Sequence, residues 1–198
     1  DIGRPLATGT TVLLHGAPGC GKTFSVECLA ETVMRPLLRL THASLGESVH
    51  DLVKSLEEAF RLSDRWDCII LLDDVNSLFS PRKDDMSQNI RITLFMQLTE
   101  THNGLLFLTT NQVGMLDEAF LSRVQIKLYY PGFAWAMAHR MLKNCLNSIE
   151  ERAHKDKSHI KIDTDDILHC MQGIMESGRA TYNGRDIVNL CQTALLLA

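Results

Sequence analysis

Gly16-Ala17-Pro18-Gly19-Cys20-Gly21-Lys22-Thr23 is the stretch on which the fold turns. It follows a short apolar run, Thr11-Val12-Leu13-Leu14-His15, which reads as a buried strand. It precedes a helical pattern over residues 23–34 that closes before Pro36. A loop with glycines at these positions can curl until successive backbone N–H groups face one point, and the helix N-terminus adds partial positive charge there. The spacing fits G-x-x-x-x-G-K-[ST] in the strand–loop–helix context that the motif requires. In that arrangement the Lys22 ammonium reaches the outer phosphates of a nucleotide, and the Thr23 hydroxyl can ligate magnesium. Cys20, inside the loop near a helix N-terminus, sits where a thiol pKa tends to fall, yet reads foremost as a small tolerated residue.

Working outward, residues 37–40 form a second apolar strand. Val49, Leu52, Val53, Leu56, Ala59 and Phe60 then recur at the spacing of an amphipathic helix. Cys68-Ile69-Ile70-Leu71-Leu72 is a fully apolar third strand that ends on Asp73-Asp74. Ile90, Leu94 and Leu98 mark the next helix, and Asn103-Gly104 turns it into a fourth strand over residues 105–109. A short helix over 115–121 leads to a fifth strand, 125–129, stopped by Pro131-Gly132. Strands alternating with helices in this way predict a parallel sheet with helices on both faces. Beyond Pro131 only helical patterns follow, over 133–152, 165–176 and 185–197, the last with Ile187, Leu190, Cys191 and Ala194 on one stripe. The expected organisation is an α/β core over residues 1–131 and a small helical domain over 132–198.

Asp73 stands about fifty residues after the phosphate loop, where nucleotide-binding enzymes of this kind place the aspartate of the magnesium shell. Thr23 and Asp73 are therefore the candidate metal ligands, and residues 16–24, from Gly16 through Lys22 and Thr23 to Phe24, are the candidate nucleotide-binding set.

Taken in order, Gly16–Thr23, Asp73-Asp74, Thr109-Thr110-Asn111, Leu121-Ser122-Arg123 and Asn183-Gly184-Arg185 resemble the AAA family of ATPases over essentially the whole chain. The wording LLFLTTN followed by DEAFLSR is most similar to a poorly characterised branch common in fungi. The resemblance implies strand order 5-1-4-3-2, a helical lid, bound ATP and Mg2+, and self-association into a ring, expected to be a hexamer, that remodels a macromolecular client. It assigns Asp74 to water activation, Asn111 to orienting that water, Arg123 to the finger that reaches a neighbouring subunit's nucleotide, and Arg185 to a γ-phosphate contact in cis. Two departures stand out. Asp74 replaces the usual glutamate and is shorter by one C–C bond, about 1.5 Å, which implies a differently bridged water or slow hydrolysis. Leu45-Gly46-Glu47-Ser48 resembles the step after the family's pore loop, but the stretch from Leu40 to Leu45 is short and lacks the aromatic residue that grips a threaded polypeptide.

Composition sets the remaining limits. The chain is 45% apolar with a net charge of −4, and it carries no Lys/Arg block of the kind duplex binders show, so a protein client is expected rather than nucleic acid. No apolar run approaches the ~18–20 residues of a membrane span, and residues 1–10 lack the pattern of a signal peptide. A start almost directly on a strand reads as a fragment of a longer protein. Six scattered cysteines give no zinc or disulfide spacing and read as thiols of an intracellular protein, without distinguishing cytoplasm, nucleus or mitochondrial matrix. Two other functions stay open: a nucleotide-dependent switch or scaffold with little hydrolysis, which Asp74 favours, and a clamp-loader-like DNA machine, which the Leu-Ser-Arg123 segment shares.

Overall fold

Apolar residues in the first strand alternate between two cores. In the computed structural model, which describes residues 9–46, 48–76, 85–155, 162–178 and 180–197, Leu13 packs into one cluster while Val12 and Leu14 pack into another. The same alternation separates Ile70 and Leu72 from Ile69 and Leu71, because successive strand side chains point to opposite faces. A strand buried on both faces needs helices on both sides, and these are present.

The strands are β1 (Thr10–Gly16), β2 (Leu37–Leu40), β3 (Ile69–Leu72), β4 (Leu105–Thr110) and β5 (Ile126–Tyr130). All are parallel, in the order β2-β3-β4-β1-β5, which is 5-1-4-3-2 read from the other edge. Helix α1 (Lys22–Thr32) covers one face through Val26 and Ala30. On the other lie α2 (His42–Leu45), α3 (Val49–Trp66), α4 (Asp85–Thr101) and α5 (Glu118–Arg123), with a 3-10 turn at Val113–Met115. The order sets β4 between the strand that feeds the phosphate loop and the strand that ends in Asp73.

Local signals explain the helix ends. Ser48 caps α3 by accepting from the Asp51 N–H at 3.0 Å, and Asp67 closes the helix in the left-handed region, its N–H donating to the Ser63 carbonyl. Leu52, Leu56, Ala59 and Phe60 form its buried stripe, as their spacing predicts. In α4 the buried face matches the expected one only in part, with Leu98 packed against the core. Phe95 and Met96 are buried with Ile92 packed beside them, whereas Ile90 is exposed. The i, i+3, i+4 set that starts at Ile92 carries an aromatic ring and so more apolar area than the set that starts at Ile90.

Just past α4, His102 is buried and stacks on Phe60 with ring centroids 4.4 Å apart. Neither ring nitrogen has a hydrogen-bond partner among the described residues, and Asp64 lies 4.0 Å from Nδ1. Burial holds the His102 pKa below its usual value, and the partly exposed Asp64 only partly opposes this. The unfolded chain therefore takes up a proton near pH 6.5 that the folded chain resists. The His102 contribution is thus fully present above about pH 6.5 and is lost as pH falls from there through the lower folded value. Urea midpoints measured from pH 7.5 downward should fall for the native chain more steeply than for His102→Phe, which keeps the stacked ring. Parallel profiles would refute the assignment.

The chain divides into two compact units: the sheet unit, up to Gly16 and then Lys22–Tyr130, and a helical unit formed by Pro131–Ala198 with Ala17–Gly21. In the helical unit α6 (Trp135–Lys155), α7 (Thr164–Glu176) and α8 (Gly184–Leu197) enclose Ala138, Leu142, Leu146, Leu168, Met171, Ile187 and Cys191. Ile187 and Cys191 face inward as expected, but Leu190 and Ala194 are exposed, so the inward stripe of α8 is narrower than its pattern predicts. Burial and the adjacent Cys145 thiol push Cys191 up to about 11. All six cysteines are free thiols. No helix among the described residues is long and apolar enough to cross a membrane.

Candidate functional site

β1 delivers the chain to the glycine-rich loop, and two of its glycines have physical reasons. Gly21 has φ +91°, which L side chains rarely adopt, and the space beside it is open to 4 Å. Gly19 has φ +73°, and a Cβ there would sit 2.3 Å from the Asn183 Oδ1. The loop crown is fastened at that point, because the Gly184 N–H donates to the Gly19 carbonyl at 3.0 Å. Asn183 also caps α8, accepting from the Asp186 N–H while its own N–H donates to Asp186 Oδ2, each at 3.0 Å. Ala17 and Pro18 are exposed and Cys20 is buried, its thiol 3.9 Å from the Pro18 carbonyl.

α1 opens on Lys22, which is only 7% exposed. Its ammonium donates to the Gly16 carbonyl at 2.8 Å and to Asn111 Oδ1, just past β4, at 2.7 Å. A lysine so buried needs such acceptors, since an unpaired ammonium out of water is costly. The next residue, Thr23, donates its hydroxyl to Asp73 Oδ1 at 2.8 Å. Phe24 points outward and is 66% exposed.

Asp73 is the hub. Its Oδ1 also accepts from the Thr109 hydroxyl at 2.7 Å, and its Oδ2 pairs with Arg39 of β2. Burial alone would raise the Asp73 pKa, but hydrogen bonds from Thr109, Thr23 and Arg39 outweigh it and hold the carboxyl below its usual range. Arg39 leans on a second carboxylate as well, with Nη1 3.5 Å from Glu27 Oε1 of α1. Asp74 follows with φ +60° and an exposed side chain, its N–H donating to the Thr109 hydroxyl at 2.9 Å. Aspartate and asparagine tolerate this left-handed conformation better than longer residues. The backbone thus gives a physical reason for the short carboxylate at this position.

The structure therefore joins Lys22 to Asn111 and Thr23 to Asp73, two hydrogen-bonded pairs that neighbouring residues of α1 bring into one cluster. Arg123 stands apart from it: the last residue of α5, half exposed, it pairs with Glu100 of α4. Arg185 is exposed on the first turn of α8 in the helical unit. Of the Leu45–Ser48 step, Leu45 ends α2 and Ser48 caps α3, while Glu47 lies outside the described residues. Sequence reasoning missed Arg39, Glu27 and the double role of Thr109. The available signal was one charge in the otherwise apolar strand Leu37-Leu38-Arg39-Leu40.

Among the described residues no group of three or more His, Cys, Asp or Glu could cage a metal. A hydroxyl and a carboxylate already in contact suit magnesium instead, which keeps several waters and takes one or two carboxylates plus phosphate oxygens.

The family described as "ATPase family associated with various cellular activities (AAA)" matches residues 12–131. Fidgetin-like protein 1 of Caenorhabditis briggsae is 34% identical over 202 residues, covering 93% of this chain and 31% of that protein. A crystal structure of the FIGL-1 AAA domain in complex with ADP superposes with a TM-score of 0.68 at 23% identity, covering 92% of this chain and 59% of that one. A structure titled "Structural Basis for Katanin Self-Assembly" superposes with a TM-score of 0.67 at 20% identity, covering 94% and 57%. The chain spans about a quarter to a third of the length of the curated relatives it matches.

Proposed function

Because the chain belongs to the AAA family of ATPases, we propose that it binds ATP with magnesium and hydrolyses the terminal phosphate. The observation that supports this reading is the two adjacent hydrogen-bonded pairs, Lys22–Asn111 and Thr23–Asp73, in which the first residues of α1 meet those just past β4 and β3. Lys22 takes the β- and γ-phosphates, Thr23 and Asp73 hold magnesium, and the loop N–H groups from Ala17 to Thr23 line the phosphates. Bound magnesium neutralises charge on the phosphate oxygens. Asp74 accepts a proton from the attacking water, and Asn111 orients that water. Arg123 of one subunit serves the nucleotide of the next, and Arg185 contacts the γ-phosphate of its own.

On this reading the working form is a ring of subunits that remodels a macromolecular client, of which protein is the expected class. The self-assembly named for the katanin structure supports association. A net charge of −4 favours a protein client over nucleic acid. Threading through a central pore is not part of the proposal, since the short stretch from Leu40 to Leu45 has no Phe, Tyr or Trp.

The rival reading, a switch that binds ATP but scarcely hydrolyses it, rests on the short Asp74 carboxylate. Asp74→Asn decides between them, because asparagine keeps the side-chain size and accepts φ +60°. Steady-state hydrolysis should fall by about 10²-fold or more, the contribution of a positioned base, while ATP stays bound. Equal, very low rates in both proteins would establish the switch.

A further inference from the structure

We infer that Arg39 is a positioning residue that competes with a divalent cation for Asp73, and so sets how much magnesium the site needs. The inference rests on the reading of Asp73 as the carboxylate of the metal site. An ionised carboxylate offers about four lone-pair sites. In Asp73 the two on Oδ1 are taken by the Thr23 and Thr109 hydroxyls, and one on Oδ2 is taken by the Arg39 guanidinium. Two of these partners can remain when a cation arrives, since a hydroxyl keeps a lone pair for the metal. A guanidinium has none: it is acceptor-free and permanently charged. A cation, or a water bound to it, must therefore share Oδ2 with a fixed positive charge or displace it.

The structure holds a place for the displaced group. Glu27 lies four residues after Thr23 on α1, on the same helical face, and its Oε1 is already 3.5 Å from Arg39 Nη1. Arg39 thus stands between two carboxylates, hydrogen-bonded to Asp73 and near Glu27, with its side chain about half exposed at 49%. Shifting toward Glu27 frees Oδ2 without leaving the guanidinium unpaired. Arg39 and Glu27 together act as a counter-charge that occupies Asp73 until a dication replaces it.

The test reads binding of a fluorescent ADP to this chain as free Mg2+ is raised at constant ionic strength, with Mn2+ electron paramagnetic resonance as a direct metal readout. Arg39→Gln should lower the Mg2+ concentration at half effect roughly tenfold, as expected for losing one partly solvated charge beside the ligand. It should not tighten ADP binding in EDTA. Arg39→Lys keeps the charge and should stay near the native midpoint. Glu27→Gln removes the alternative partner, holds Arg39 on Asp73, and should raise the midpoint; this partly exposed helical site also reads the competition if Arg39→Gln does not fold. A midpoint that stays or rises in Arg39→Gln, or falls in Glu27→Gln, overturns the inference while leaving the nucleotide site in place. Native protein that binds ADP with no response to Mg2+ in either readout removes the metal site itself, and the inference with it.

Discussion

Lys22→Ala is expected to weaken ATP binding by roughly two to four powers of ten, since each hydrogen bond to a charged group contributes about 1.5–3 kcal/mol and the ammonium can make two to the phosphates. The geometry adds a second reason. Lys22 ties the Gly16 carbonyl, at the end of β1, to Asn111, at the end of β4. Alanine removes the cation and leaves both acceptors without their donor, so the loop loses its anchor as well as its charge. Titration with labelled ATP measures the effect, and circular dichroism separates it from unfolding. Affinity within a factor of about ten of native, one hydrogen bond's worth or less, would remove the phosphate-loop assignment.

A comparable effect is expected at Arg123, but on rate and not on binding. A guanidinium that reaches a neighbour's nucleotide stabilises charge that develops during transfer, an effect of about 10³–10⁵ for arginine fingers generally. In the single chain Arg123 is paired with Glu100, both about half exposed. Such a surface pair contributes only about 0.2–1 kcal/mol, so it is surrendered easily when a subunit docks. Arg123→Ala should keep ATP binding and lose most hydrolysis. Mixing it with Lys22→Ala should restore some activity, because mixed neighbours rebuild one intact site from two broken ones. Arg123→Lys should rescue poorly, since an ammonium lacks the planar fork. Activity independent of protein concentration, with no recovery on mixing, would make Arg123 a surface residue of no catalytic consequence.

The parts of this protein legible in its sequence are those whose physics is local. Each strand is a mainly apolar run ended by a turn, and the glycine-rich loop declares itself through residues needed at fixed neighbouring positions. Strand order is different: it came with the family resemblance, not with the patterns. The sheet then makes contacts that no window along the chain contains. Arg39 meets Asp73 only because β2 lies beside β3, and Thr109 serves both aspartates only because β4 flanks β3 on its other side. Asn183 against Gly19 is a pairing of the same long-range kind. Helix faces failed more narrowly. In α4 the inward face is centred on Phe95 and takes Leu98 from the expected stripe but not Ile90, a matter of shape in the core and not of period. The φ of Asp74 is likewise invisible in the letters, although an aspartate is what one would choose for it.

The two acceptors of Lys22 also bear on conformational entropy. A lysine side chain carries about 2 kcal/mol of rotamer freedom, and most ligand sites must freeze it at the moment of binding. Here the ammonium is already tied to Gly16 and Asn111, so that freedom is given up during folding. An incoming phosphate exchanges acceptors on an ordered cation and does not have to capture a mobile one. With two of its three N–H groups on phosphates, as proposed, Lys22 would keep one for Gly16 and Asn111, so one of these two acceptors would give up its donor as the anion is seated.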